Sequence, residues 1–133
     1  MFSFLSFSAN GPVHAAFFMN MPADVSNIAQ IKALPNYPSS PTFTTQLDNF
    51  DSPRDIGSYY GLRMWTYFKA PETGKYRFSV SCDDFCSLFL GENEESTEEI
   101  VTFTSWVPLY VWDRYKKLIS FTLLVFLELM FML

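Results

Sequence analysis

The chain has 133 residues, a net charge of −5, 49% hydrophobic residues and 19% aromatic residues. A chain of this length forms one domain, and its wealth of Phe (15) and Tyr (7) favours β-structure over a helical bundle. Because the acidic balance comes without a basic run, the composition argues against a nucleic acid partner.

The chain begins with a short N-terminal segment without strand or helix periodicity, followed by a longer segment of alternating apolar and turn sequences. Residues 1–10 are apolar but have no positive start, which predicts an irregular or degenerate signal-like N-terminus. From residue 11 to residue 117, short apolar segments alternate with turn sequences, which predicts one all-β domain. Residues 25–33 have helical spacing and predict one or two helical turns, while His14 is interpreted as a surface residue.

Two alternating segments follow in the middle of the chain. Residues 61–70 place Met64, Thr66 and Phe68 on one face, and residues 76–82 alternate in the same way. The linking sequence APETG has a proline suited to a fixed φ and a glycine suited to φ above zero. These features predict a β-hairpin.

Trp65, Trp106 and Trp112 are candidate stacking platforms for a ligand, but an aromatic ring at strand spacing is more often part of the core. We therefore interpret Trp65 as a core residue and leave the other two tryptophans open.

Further strands are predicted after this hairpin. Ser87–Leu90 indicates a return strand, and Ile100–Phe103 indicates another. Five of the fourteen acids lie between Glu92 and Glu99. This acidic run predicts a solvated loop, because it has neither the periodicity nor the glycine of an EF-hand loop.

Two adjacent aspartates, Asp83 and Asp84, end the second alternating segment. On an extended strand their side chains would point to opposite faces and could not share an ion. A turn or a cis peptide bond would bring them together, and a bound Ca²⁺ would compensate for the cost of such a geometry. The alternative is that both aspartates cap a solvent-facing β-turn.

A family resemblance is carried by YYGLRMWTYFKAPETGKYRFSVSCDDFCSLFLGE, which is its most specific part, and by YPSSP, LDNFDSPRDIG and WVPLYVWDRY. On these segments, residues 11–117 resemble a PA14 domain of the type found in fibrocystin-like surface proteins. The matching positions are Tyr60, Gly61, Arg63, Phe68, Pro71, Glu72, Thr73, Gly74, Tyr76, Phe78, Ser81, Asp83, Asp84, Leu88, Leu90, Trp106, Trp112 and Asp113.

The resemblance implies a β-sandwich or barrel at an extracellular or cell-surface location. It further implies a non-catalytic recognition module whose calcium-dependent members bind carbohydrate, with a cis-linked Asp-Asp pair as ligands. Asp83 and Asp84 are then the expected ligand-binding and Ca²⁺-binding residues. Because the later loop that completes such sites has no counterpart here, we expect an incomplete and weak calcium shell. The alternative is a structural or protein-interaction module of a surface protein.

The two cysteines flank the aspartate pair. In an oxidising compartment Cys82 and Cys86 could form a disulfide that closes a small loop and makes the carboxylates more rigid. Free thiols are the alternative, and metal binding by two soft ligands is disfavoured. The expectation that the chain is not an enzyme follows from its single histidine and from the lack of an elbow or phosphate-loop motif.

The last segment, residues 118–133, is a hydrophobic tail of uncertain origin. As a helix it would measure roughly 24 Å, short of the hydrocarbon core of about 30 Å, so membrane insertion is marginal. A lipid-anchor signal is a second interpretation, but it lacks a convincing cleavage site. The interpretation we favour is that the PA14-like domain is truncated at its C-terminus and that this tail does not belong to it.

Overall fold

The computed structural model describes residues 12–70, 72–105, 116–121 and 124–132. These residues form an all-β protein with one short α-helix and one turn of 3-10 helix, Glu94–Ser96. The all-β class predicted from composition is confirmed. The elements, in chain order, are β1 (Val13–Phe18), α1 (Ile28–Lys32), β2 (Phe43–Leu47), β3 (Gly61–Lys69), β4 (Gly74–Ser79), β5 (Phe85–Gly91), β6 (Glu98–Phe103), β7 (Lys116–Phe121) and β8 (Leu124–Met132).

The strands form two antiparallel sheets. The larger sheet has six strands in the order β2-β1-β3-β8-β5-β6, and the smaller one pairs β4 with β7. Buried side chains from β1, β3 and β5 share one core with Phe78 and Val80, which come from β4 and the residue after it. The two sheets therefore form two layers around this core.

Side chains of β3 alternate as the sequence predicts. Met64, Thr66 and Phe68 are buried, whereas Tyr67 and Lys69 are exposed. This is the period of two that a strand imposes on its side chains. The earlier half of β3 is buried on both faces, because a second core cluster covers its outer face around α1.

The predicted hairpin between β3 and β4 is wrong. Both edges of β3 are occupied, by β1 on one side and β8 on the other, so β4 lies in the smaller sheet instead. The connecting residues therefore cross between the two layers. Gly74 does not take a positive φ as predicted, because it begins β4 and pairs with Phe121. Pro71 lies outside the described residues.

The hydrophobic tail, residues 118–133, was expected to lie outside the domain, and its described part differs from this expectation. The segment contributes most of β7 and all of β8, and β8 lies between β3 and β5 in the larger sheet. A short apolar run is typical of a strand with neighbours on both sides, and periodicity alone does not separate it from a buried helix. No helix within the described ranges is long and apolar enough to span a membrane.

The short helix α1 agrees with the predicted helical spacing. Its N-cap is Asn27, whose side chain accepts a hydrogen bond from the backbone N–H of Gln30, which satisfies one free donor of the first turn. Ile28 and Ile31 point into the second core cluster with Phe89 and Met130 of the larger sheet. The helix thus covers part of the outer face of that sheet.

Candidate functional site

The Asp83–Asp84 turn joins the end of the β4 segment to β5. The peptide bond between the two aspartates is cis, one of the geometries weighed for this pair. Asp83 is half-buried and Asp84 is exposed. The two aspartates therefore occupy a turn, and not the extended strand on which their side chains would diverge.

The two carboxyl groups of this turn contact each other. Burial, which is the largest cause, together with a side-chain hydrogen bond and charge repulsion from Asp84, raises the pKa of Asp83 to about 6. Two neighbouring carboxylates resist ionising together, so they hold one proton more tightly than either would alone. Within the described part of the chain, no ion pair involves either aspartate. Among the residues that the structure describes, the turn thus presents negative charge at the surface without a paired cation.

The turn is fixed at both of its ends. Cys82 and Cys86 form a disulfide with a Cα–Cα distance of 6.5 Å, and both cysteines belong to the core shared by the two sheets. Ser81, which precedes the disulfide, is fully buried. The two aspartates therefore project from a short covalent loop whose base is anchored in the core.

No group of three or more His, Cys, Asp or Glu side chains among the described residues, the aspartate pair included, is arranged to hold a metal ion. Ca²⁺ takes about six to eight oxygen ligands, so water or a ligand would supply most of the shell. Trp106, Trp112 and Asp113, which match the family pattern further along the chain, lie outside the described residues.

A second charged cluster, which the sequence analysis missed, lies on the outer face of the larger sheet. Arg63 on β3 is 7% exposed and Glu128 on β8 is 4% exposed. The Nε of Arg63 donates to Oε1 of Glu128 at 3.0 Å, and its Nη2 donates to Oε2 at 3.2 Å. The same Nη2 donates to Oε1 of Glu94 at 2.6 Å. One guanidinium therefore joins two carboxylates.

The electrostatics of this cluster indicate a structural role. Burial opposes the charge of Arg63, but its hydrogen bonds to Glu128 and Glu94 prevail and raise its pKa above the ordinary value. Burial, together with the charge of Glu128, raises the pKa of Tyr37 to about 12. The Tyr37 hydroxyl lies 3.5 Å from Oε1 of Glu128, so its proton stays in place at neutral pH. Two features of the sequence could have indicated this cluster: Glu128 is the single acid in the apolar tail, and Arg63 lies in a strand that was predicted to be half-buried.

Two aromatic rings extend this cluster toward the edge strand β2. The guanidinium carbon of Arg63 lies 4.5 Å from the centroid of the Trp65 ring, and the His14 ring stacks on Trp65 with a centroid distance of 5.4 Å. Trp65 was expected in the core. It is half-buried and packs against the second core cluster from its edge. His14 is exposed as predicted, but it belongs to β1.

These rings form one side of a groove on the outer face of the larger sheet. The groove has a volume of about 270 Å³ and runs between β2 and β3, with β1 beneath it. Its lining residues are His14, Ala15, Thr44, Thr45, Gln46 and Trp65.

Comparison of the chain with models of known families, with curated proteins and with solved structures gives no match.

Proposed function

We propose that this protein is a non-catalytic extracellular or cell-surface recognition module, with a PA14-like β-sandwich as its fold. In this proposal the Asp83–Asp84 turn holds a Ca²⁺ ion weakly, and a glycan completes the metal shell with its hydroxyl groups. The observation that carries the proposal is the convergence of two carboxyl groups on one anchored turn. Burial, and after it the neighbouring Asp84, raises the pKa of Asp83 to about 6.

The chemistry of this turn suits a hard divalent cation. Carboxylate oxygens are preferred calcium ligands, and Ca²⁺ tolerates irregular geometry. A divalent ion between the two groups would remove their mutual repulsion and displace the proton that they hold. The short loop closed by Cys82 and Cys86 keeps both carboxyl groups in place before the ion arrives.

Calorimetry tests calcium binding directly. We expect saturable heat on titration with Ca²⁺ at neutral pH, with a dissociation constant of roughly 10⁻⁴ to 10⁻³ M, the range of extracellular calcium modules. Because Ca²⁺ competes with the proton on Asp83, binding should weaken as the pH falls through about 6. Asp83→Asn and Asp84→Asn should each abolish the heat.

A matched control removes acids elsewhere on the surface. Glu98→Gln with Glu99→Gln, both exposed on β6, should leave the calcium heat unchanged. Equal loss in this control would mean that Ca²⁺ responds to overall charge and not to the aspartate turn. No heat in the wild-type protein at millimolar Ca²⁺ would remove the metal from the proposal.

Carbohydrate recognition needs a separate measurement. Binding of the labelled protein to an array of immobilised glycans should be present in Ca²⁺ and lost in EDTA, and Asp84→Asn should remove it. Binding that EDTA leaves unchanged would contradict a role for the metal in sugar recognition.

The second candidate is a structural or protein-interaction module of a cell-surface protein. It is favoured by one observation: a third metal-ligating side chain does not join the aspartates among the residues that the structure describes. If calorimetry and the glycan array both give nothing, this second candidate becomes the better account of the protein.

A further inference from the structure

The groove between β2 and β3 is a second concave site, separate from the aspartate turn. Gln46, His14 and Trp65 stand opposite one another in a single cross-strand row. Successive side chains on a strand alternate between its faces, so Thr44 lies on the same face as Gln46. The groove is therefore built from facing side chains on three neighbouring strands.

The lining of the groove combines rings with neutral hydrogen-bonding groups. Thr44 and Gln46 supply a hydroxyl and an amide, and His14 and Trp65 supply two stacked rings. The lining of this groove contains no acid, lysine or arginine. Such a site offers donors, acceptors and an aromatic wall, without a net charge that would select an ion.

The Trp65 ring also contacts the guanidinium of Arg63. Arg63 packs over the Trp65 ring while both of its carboxylate partners hold its guanidinium. Since that cation is neutralised by Glu128 and Glu94, it orients the ring without attracting an anion into the groove. A ring fixed in this way loses little conformational freedom when a ligand binds.

We infer that this groove binds one neutral sugar ring, without calcium. A sugar presents C–H groups on its faces, which pack against aromatic rings, and hydroxyls around its rim, which match the threonine and glutamine side chains. The groove volume of about 270 Å³ lies just below the usual range of ligand pockets, roughly 300 to 1,000 Å³, which suits a single ring and not an extended chain. The site rests on different residues from those of the proposed calcium turn.

An extended peptide is the competing occupant, because β2 is an edge strand. A peptide added to that edge would form hydrogen bonds to the backbone of β2. The groove instead lies over the face of the sheet, where side chains of β1, β2 and β3 converge. The position of the groove thus favours a compact ligand on the outer face of the larger sheet over a peptide at the edge of β2.

Nuclear magnetic resonance tests this inference on the full chain labelled with ¹⁵N. The probes are free glucose, mannose, galactose and N-acetylglucosamine, each added in EDTA to well above millimolar concentration, and the signal followed is the indole N–H of Trp65. We expect at least one sugar to shift this signal saturably. Thr44→Ala and Gln46→Ala should each weaken binding about fivefold, the effect of one neutral hydrogen bond.

Two controls separate this site from the alternatives. Thr73→Ala makes the same chemical change at an exposed position between β3 and β4 and should leave the shift intact. Asp83→Asn should also leave it intact, so the groove can succeed or fail independently of the calcium turn. The Thr44 and Gln46 side chains are exposed, so their variants should keep the amide spectrum of the folded protein.

Three results would overturn the inference. The first is the lack of a saturable shift with any of the four sugars, since all four present the ring and hydroxyls that the groove is argued to contact. The second is a shift that persists unchanged in both Thr44→Ala and Gln46→Ala. The third is a response to an extended peptide, with none to the sugars, which would assign the surface to strand addition at β2.

Discussion

Carboxylates meet in two regions of this molecule, and the surroundings of the two regions differ. On the outer face of the larger sheet, Glu128 and Glu94 share the guanidinium of Arg63. At the Asp83–Asp84 turn, two acids face each other, and within the described residues no cation pairs with them. In the first region both carboxylates are paired with an arginine of the same protein. In the second region an added cation could neutralise the carboxylates.

The comparison shows how to separate a structural charge cluster from a candidate site. A buried ion pair is costly to break because the remaining charge stays buried without a partner. A pair of like charges at the surface gains when something binds to it or protonates it. Substitutions in the two regions should therefore affect the free energy of unfolding differently.

Arg63→Met should cost about 3 to 5 kcal/mol of unfolding free energy, because it leaves Glu128 buried without its cation. Glu128→Gln should cost less, since Arg63 keeps Glu94. Urea denaturation followed by fluorescence measures both. Arg77→Met, at an exposed position on β4, is the matched control and should change the stability by less than about 0.5 kcal/mol.

A double variant sharpens this prediction. Arg63→Met with Glu128→Leu replaces the pair by apolar side chains and should recover most of the loss, as such replacements often do. If the double variant is as unstable as Arg63→Met alone, the cost comes from lost packing and not from an unpaired charge.

Cys82→Ser with Cys86→Ser should lower the unfolding free energy by at most about 2 kcal/mol, because the disulfide spans a separation of four residues and short loops gain little from closure. The same change should let the two carboxyl groups move apart and lower the pKa of Asp83. Carbon-detected titration of the aspartate side chains measures this pKa. An unchanged value in the double serine variant would show that the disulfide does not hold the pair together.

Asp83 should make the protein less stable as the pH rises. Its folded pKa of about 6 lies above the ordinary value of 3.8, so the folded state binds the proton more tightly than the unfolded state does. The stabilisation is complete below pH 3.8 and is lost as the pH rises toward 6. The expected size is roughly 1 to 2 kcal/mol after allowance for solvent screening.

The measurement is the difference in unfolding free energy between wild type and Asp83→Asn at several pH values. This difference should change between pH 4 and pH 6 and stay level above that window. A level difference throughout would mean that the aspartate pair does not share a proton. Ca²⁺ at millimolar concentration should flatten the change, if the proposed site exists.

Asn93→Ala should lower the free energy of unfolding by about 1 kcal/mol, the smallest effect of these substitutions, because it removes a helix cap. The Asn93 side chain accepts hydrogen bonds from the backbone N–H groups of Glu95 and Ser96, and this cap holds the turn that carries Glu94 to Arg63. Because Glu94 is about half exposed, loosening it should matter far less than removing Arg63. A loss as large as that of Arg63→Met would contradict this ranking.

Local patterns in the sequence were sufficient to predict four of the eight described strands, namely β3, β4, β5 and β6. The alternation of Met64, Thr66 and Phe68 predicted β3 because a strand with one core face and one wetter face must alternate. The same reasoning located the strands near Ser87 and Ile100 and the short helix at Ile28. Each of these predictions depends on neighbours in sequence, which is why they could be made without the structure.

Strand pairing could not be predicted in the same way. The sequence APETG suggested that β3 and β4 pair, but pairing depends on which strands already occupy the edges of β3. The apolar run containing Glu128 has no clear alternation, so it could not be identified as an inner strand. The groove at His14 and Trp65 was missed for a related reason, because it requires the register of three strands.

The position of β8 has a consequence for the order in which the protein can be made. This strand follows all the other described strands in the chain, yet it separates β3 from β5. While the ribosome is still synthesising the chain, β1, β2 and β3 can associate on one side, and β5 and β6 on the other, but the larger sheet cannot close. Its closing contacts, such as that between Arg63 and Glu128, span 65 residues, and contacts so distant in sequence slow folding. The nascent protein therefore exposes two unpaired strand edges until its last described strand leaves the ribosome, and in that interval it is most open to misassembly.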